Sequence, residues 1–314
     1  MKKLFLISLC GFLVGCGGGA GGSSSSATDS KNNESTNIST NYFTETPKLE
    51  SCFPGSVTEQ LKQDALKRIN EIRALHNLSE VTYDYSSDNE VMQTALFMVA
   101  NRSISHNINS NGKCYTELAK AGSANGNLSL KSVDSSVDPL SHITGWMNEK
   151  DSPDLAHRRW LLNPFLKKIA FGYSENNIGG RKVVAAALKV IYLDDLKNAN
   201  NSTGIIAYPM NQDYPMSLFD KDSKLSFSIF DNQLDFWLNK NIDYSNAVVT
   251  VKERNTGNEI GLTDINFDNR NIGLPNNFEF KVTGLKQNTL YDVHVSNVSV
   301  NSVQREYDYQ FSLK

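Results

Sequence analysis

The run Val183-Val184-Ala185-Ala186-Ala187-Leu188-Lys189-Val190-Ile191-Tyr192 constrains the chain more than any other segment. A long apolar stretch of this kind predicts a central strand buried on both faces, which needs a covering layer on each side. The neighbouring sequence predicts those layers. Residues 56–77 read as a helix, with Ser56 and Glu59 placed as a capping box and Leu61, Ala65, Ile69, Ile72 and His76 at helical spacing. A second helix starts near Ser87, with Glu90 in the matching position and Val91, Ala95, Met98 and Val99 on its apolar face. Asp138-Pro139 opens a third, whose buried stripe is Leu140, Ile143, Trp146 and Met147, and Ser152-Pro153 opens a short fourth that Pro164 ends. Residues 169–173 give another strand. The expected arrangement is a small sheet covered by helices.

At 314 residues, with 39% hydrophobic side chains, the chain can bury a sizeable core. A formal net charge of −3 argues against an electrostatic nucleic-acid partner, and a mean hydropathy of −0.40 against a multi-span membrane protein.

The N-terminus predicts export. Lys2 and Lys3 precede an apolar stretch, residues 4–14, too short to span a bilayer as a helix. It ends in Leu13-Val14-Gly15-Cys16, which resembles the bacterial lipobox. The expectation is a signal peptide over 1–15, lipidation of Cys16, and anchoring to a membrane. Gly17 in place of an inner-membrane retention Asp favours an outer membrane where the cell has one, facing periplasm or cell surface. Residues 16–50, rich in Gly, Ser and Asn, read as a flexible tether with too little apolar surface to offset its ordering entropy. Of the 4 cysteines, Cys10 leaves with the signal peptide and Cys16 takes lipid. Cys52 and Cys114 remain, and export makes a disulfide between them the economical expectation, two free buried thiols being the alternative.

The last hundred residues change character. Residues 225–230, 247–253, 278–282, 291–295 and 307–313 are short β-type runs, and Asn255-Thr256-Gly257-Asn258 is a turn signal. Leu285-Lys286-Gln287-Asn288-Thr289-Leu290-Tyr291 resembles the tyrosine-corner segment of fibronectin-like sandwiches. A polar linker over 198–204 marks the boundary, so a separate Ig- or fibronectin-like β-sandwich is expected over 205–314.

Chemistry is carried by histidines and carboxylates. His76 ends a helix, where positive charge is favourable. His142 is ambiguous, and His294 has no evident partner. His106, Glu117, Glu149 and His157 combine two imidazoles and two carboxylates, the ingredients of a divalent-metal site or of an acid/base pair.

Residues 57–195 resemble the CAP superfamily, the SCP-like domain of cysteine-rich secretory proteins, antigen 5 and the pathogenesis-related 1 proteins. The resemblance rests on Asn70-Glu71-Ile72-Arg73, Ser105-His106, Trp146-Met147-Asn148-Glu149, His157-Arg158-Arg159-Trp160-Leu161-Leu162-Asn163-Pro164 and Ile169-Ala170-Phe171-Gly172. It implies an α/β/α sandwich, within an α+β chain, and a cleft lined by His106, Glu117, Glu149 and His157. The two histidines would hold a divalent cation, Zn²⁺ or Mg²⁺. Two positions depart from the family pattern: Thr116-Glu117-Leu118 stands for its Gly-Glu-Asn, and Ala156 for its Gly.

Three readings follow. The first is a surface-anchored binding module for a cation and a lipid, peptide or envelope ligand. The second is a metal-assisted hydrolase with Glu117 or Glu149 as general base. The third is a structural or adhesive envelope protein. The chain lacks a His-Glu-x-x-His helix and a Gly-x-Ser-x-Gly elbow, which weakens the second.

Overall fold

The computed structural model describes residues 41–150 and 152–314. The expected signal peptide, the Cys16 lipidation site and the tether as far as residue 40 lie outside the described residues. Residues 41–50, expected in the tether, are part of the fold. Strand β1 (Phe43–Glu45) pairs antiparallel with β2 (Ser56–Val57), and Phe43 stacks on Tyr173 at 5.8 Å.

Helix α1 (Glu59–Leu75) starts later than the Ser56 capping box predicts, because Ser56 and Val57 belong to β2. Thr58 caps it instead, its hydroxyl accepting from the Leu61 amide at 3.2 Å. Strand β3 (Thr82–Tyr83) leads into α2 (Asp88–Asn101). Helix α3 (Glu117–Ala124) and strand β4 (Gly126–Val133) carry polar, small-residue sequence without clear periodicity, and neither was expected. Helices α4 (Ser141–Asn148) and α5 (Ala156–Leu161) follow, and then β5 (Lys168–Ile178) and β6 (Arg181–Lys189).

The sheet order is β3-β5-β6-β4, which puts β6 in its interior, as the apolar run requires. The pairs are antiparallel except β3 with β5. Period-two alternation sorts the side chains by face. Phe171, Tyr173, Val184, Ala186 and Leu188 join the apolar cluster holding Ile69 and Ile72 of α1 and Ile143 and Trp146 of α4. Ala170, Val183, Ala185 and Ala187 join the cluster holding Val91, Leu96 and Val99 of α2. The α/β/α sandwich is therefore present. Gly172 is needed where β5 meets α2, since a Cβ there would stand 2.5 Å from the Val91 carbonyl. The disulfide Cys52–Cys114 ties the segment after β1 to the loop before α3, with Cα atoms 5.1 Å apart.

The strand-rich region forms two sheets. Strands β7 (Gly204–Tyr208), β9 (Leu225–Phe230), β12 (Leu262–Asp268) and β13 (Asn277–Val282) assemble in the order β12-β13-β9-β7. The other sheet holds β8 (Asn211–Tyr214), β10 (Ile242–Asp243), β11 (Val248–Glu253), β14 (Leu290–Val300) and β15 (Val303–Leu313). Its order is β10-β14-β15-β8, with β11 also on β14. The tyrosine corner is formed: the Tyr291 hydroxyl accepts from the Lys286 amide at 2.7 Å.

This region shares its core with the helical half. Every residue of β9 is buried: Phe227 packs on Tyr244 and Phe278 of the sandwich, whereas Phe230 packs on Phe165 after α5. His76 is the clearest junction. Its Nδ1–H donates to the Ala207 carbonyl of β7 at 2.6 Å, and its Nε2 lies 3.3 Å from the Tyr214 hydroxyl. Burial pushes this imidazole down to about 3, so it stays neutral, and the expected favourable charge at the helix end is replaced by a buried neutral bridge. His142 is a core residue, bonded to Ser129 and lowered to about 3 chiefly by burial. His294 has a partner after all, Asp308 across the sheet at 2.8 Å.

Two stability predictions follow from these junctions. Converting Cys52 and Cys114 to Ser together should cost about 2–4 kcal/mol in urea unfolding under oxidising conditions, because the bridge closes a loop of 62 residues in the unfolded chain. No change would show that the bridge does not form. For His76 and His142, the folded pKa of about 3 lies below the unfolded value of about 6.5, so the unfolded state binds more protons between these values. Stability should be complete above about pH 6.5 and fall as pH drops toward 3. Unfolding midpoints measured from pH 7 to 4 check this, and His76→Asn should flatten the slope.

Candidate functional site

The site grows from the end of α4 and the short helix α5. Glu149 closes α4 in a left-handed conformation, with φ of 41°, and this turns its side chain toward α5. Helix α5 has no side-chain cap of its own, since Leu155 sits at the capping position. Glu149 supplies the missing acceptor from another element: its Oε2 accepts from the Arg158 amide at 2.8 Å. Its Oε1 accepts from His157 Nδ1 at 2.8 Å. The carboxylate is buried, its side chain only 3% exposed. A carboxylate can only accept, so a neutral His157 carries its proton on Nδ1 and keeps its lone pair on Nε2.

His106 is oriented in the same way from the other side. It follows α2, and its Nδ1–H donates to the Ser123 carbonyl at the end of α3 at 2.8 Å. A carbonyl also can only accept, so here too Nε2 keeps its lone pair. Both imidazoles line one cavity of about 510 Å³, together with Glu149, Asn127, Trp160 and Ile191. Asn127 is buried and donates to the His157 carbonyl at 3.0 Å, which leaves its Oδ1 without a partner.

Of the four residues expected in the cleft, the structure brings three together: His106, Glu149 and His157. Glu117 stands apart. It opens α3, its side chain is 80% exposed, and it accepts from the Tyr115 hydroxyl at 2.8 Å. Thr116 caps α3 in front of it, so this glutamate follows the ordinary preference for acidic residues in a first turn. Among the described residues, no group of three or more His, Cys, Asp or Glu side chains is assembled as a metal cage. What the cleft provides for a cation is two oriented imidazole nitrogens.

Sequence reasoning missed three contributors. Asn127 lies on a strand that polar sequence hid. Asn271 and Ile272 come from the loop between β12 and β13, more than a hundred positions from His157, and no local signal links them to it. The Asn70 and Arg73 motif is structural. Asn70 holds the Val81 backbone at both ends, and Arg73 donates to the carbonyls of Ser79, Leu161 and Asn163. Burial lowers the Arg73 pKa to about 9, and these carbonyl partners supply the acceptors its guanidinium needs.

Comparison with known families agrees with this geometry. Residues 66–188 match the family model described as the cysteine-rich secretory protein family, CAP. This part of the chain is a CAP domain. No curated protein matches the chain.

The two glutamates should separate on mutation. Glu149→Gln should cost roughly 1–3 kcal/mol in urea unfolding, since it weakens buried charge-assisted bonds to His157 and Arg158. Glu117→Gln should stay within about 0.5 kcal/mol of the parent. Equal losses would contradict the positions described for them.

Proposed function

We propose that this protein is an extracytoplasmic binding module, lipid-anchored at Cys16, whose CAP cleft takes a divalent cation on His106 and His157 together with a lipid, peptide or envelope ligand. One observation carries this reading. Both imidazoles line one cavity and have Nδ1–H engaged by a fixed acceptor, so in their neutral form both keep an Nε2 lone pair for a ligand. Pinning one ring nitrogen by hydrogen bonding is how ligating histidines are oriented and made more basic. Two imidazoles suit Zn²⁺ better than Mg²⁺, which demands oxygen ligands in near-octahedral geometry. Two protein ligands leave coordination positions for solvent or ligand.

A hydrolase has less support. Both Glu149 oxygens already accept hydrogen bonds, and Glu117 is not among the cavity residues. That fits Glu149 as a positioning residue for His157 rather than as a general base.

Calorimetric titration tests the proposal. Zn²⁺ should bind the full chain with one site, Mg²⁺ should bind far more weakly, and His106→Ala with His157→Ala should abolish the site. Affinity should fall on acidification, because imidazolium cannot ligate. Glu149→Gln should weaken Zn²⁺ about 10–100-fold. Unchanged Zn²⁺ binding in the double histidine variant would overturn the reading.

A further inference from the structure

We infer that Asn271 and Ile272, carried by the loop between β12 and β13, contact the ligand of the cleft, and that this ligand is a small amphiphile with a primary ammonium head. The inference rests on the proposed reading that the cleft holds a ligand. It adds the strand-rich half of the chain to the site and names a chemical class.

The loop is fixed on α5, next to the cleft. Arg159, fully buried on α5, donates from Nε and Nη2 to the Leu274 carbonyl at 3.1 and 2.7 Å and pairs with Asp268 at 2.9 Å. The Leu274 amide returns a bond to the Arg159 carbonyl at 3.2 Å. Arg270 reaches Asp154, on the cleft side, at 3.0 Å. Gly273, at φ of 65°, lies so close to α5 that a Cβ would stand 2.4 Å from the Arg159 carbonyl carbon. Contacts on both flanks hold Asn271 and Ile272 in place, so they form a preorganised wall.

The chemistry of the lining selects the ligand. Its polar side holds acceptors rather than donors: the neutral His106 and His157 rings present Nε2 lone pairs, while the Oδ1 atoms of Asn127 and Asn271 are buried in the wall without a partner. Among the described residues, Glu149 and Asp154 line the cavity and no lysine or arginine does, Arg270 meeting Asp154 from outside the lining. An anionic head would meet acceptors and carboxylates, whereas an ammonium brings three donors to them. The rest of the wall is apolar: Pro153, Ala156, Trp160, Ile191 and Ile272 suit a short hydrocarbon tail. The ammonium uses the same imidazole lone pairs as Zn²⁺, so the two compete.

The test uses octylamine and octanoate as matched probes, titrated calorimetrically into the metal-free full chain. Octylamine should bind at least about tenfold more tightly than octanoate. Ile272→Ala should weaken it about tenfold by removing tail contact, and Ile272→Trp should block it by filling the cavity. Asn271→Asp should tighten it severalfold by placing a charge at the head. Added Zn²⁺ should displace it. Each variant is checked by its unfolding midpoint, and Asn271→Asp, at a half-buried position, keeps the test valid where an Ile272 variant does not fold. Octanoate binding as well as octylamine, or octylamine binding unmoved by both Ile272 variants and by Asn271→Asp, overturns the inference. Zn²⁺ binding on the histidines with no octylamine binding overturns it and leaves the proposed function standing. Absence of both overturns both.

Discussion

The six residues of α5 hold the structure and its cleft together. Three consecutive side chains leave this helix in three directions. His157 enters the cleft. Arg158 lies with its guanidinium 3.8 Å from the Tyr208 ring centroid and donates to the carbonyls of Met147, Asn148 and Lys224. Arg159 holds the β12–β13 loop. A helix this short has no independent stability, so its geometry is set by what it contacts. The carboxylate of Glu149 accepts one of its free amides and orients its histidine in the same act. Removing that group would disturb helix and site together.

The buried arginines show why the two halves of the chain pack as they do. Arg73, Arg158 and Arg159 are each at most 2% exposed. Such groups are tolerated in a core only when their donors are satisfied. Their acceptors are chiefly backbone carbonyls from loops and strand ends on both sides of the junction. Arg158 reaches β9 through the Ser226 hydroxyl, and Arg159 reaches Asp268 at the end of β12. The CAP domain therefore does not end in a surface on which the strands rest. Its last helix is satisfied only in their presence.

Much of this was legible in the sequence where periodicity was strong. The apolar run at 183–192 required a covered strand, and the alternation along β5 and β6 places successive residues in two separate cores. The tyrosine corner was legible because its bond is local, from Lys286 to Tyr291. Failures had physical causes. Ser56 and Glu59 have capping-box spacing, yet pairing with β1 draws Ser56 into a strand and passes the cap to Thr58. The α3–β4 segment relies on small residues at close contacts, such as Gly122 against Thr94, which carry no hydrophobic period. Within the site, His106, Glu149 and His157 could be read from motif resemblance. The same resemblance puts Glu117 in the cleft, but at Thr116-Glu117-Leu118, where the family pattern is lost, Thr116 caps α3 and the glutamate lies exposed outside the cavity. Asn271 and Ile272 were invisible because only tertiary packing brings them to the cavity.

The cleft's capacity to bind depends on where two protons sit. If Ser123 and Glu149 orient the imidazoles as described, the neutral form of each ring is the Nδ1–H tautomer, with its Nε2 lone pair unprotonated. Long-range ¹H–¹⁵N correlation spectra of histidine-labelled protein read this directly at neutral pH. Nδ1–H signatures are expected for His106 and His157, with Zn²⁺ shifting Nε2 of both rings and leaving His76 and His142 unmoved. An Nε2–H tautomer at either His106 or His157, or Zn²⁺ shifts confined to other histidines, would contradict this arrangement.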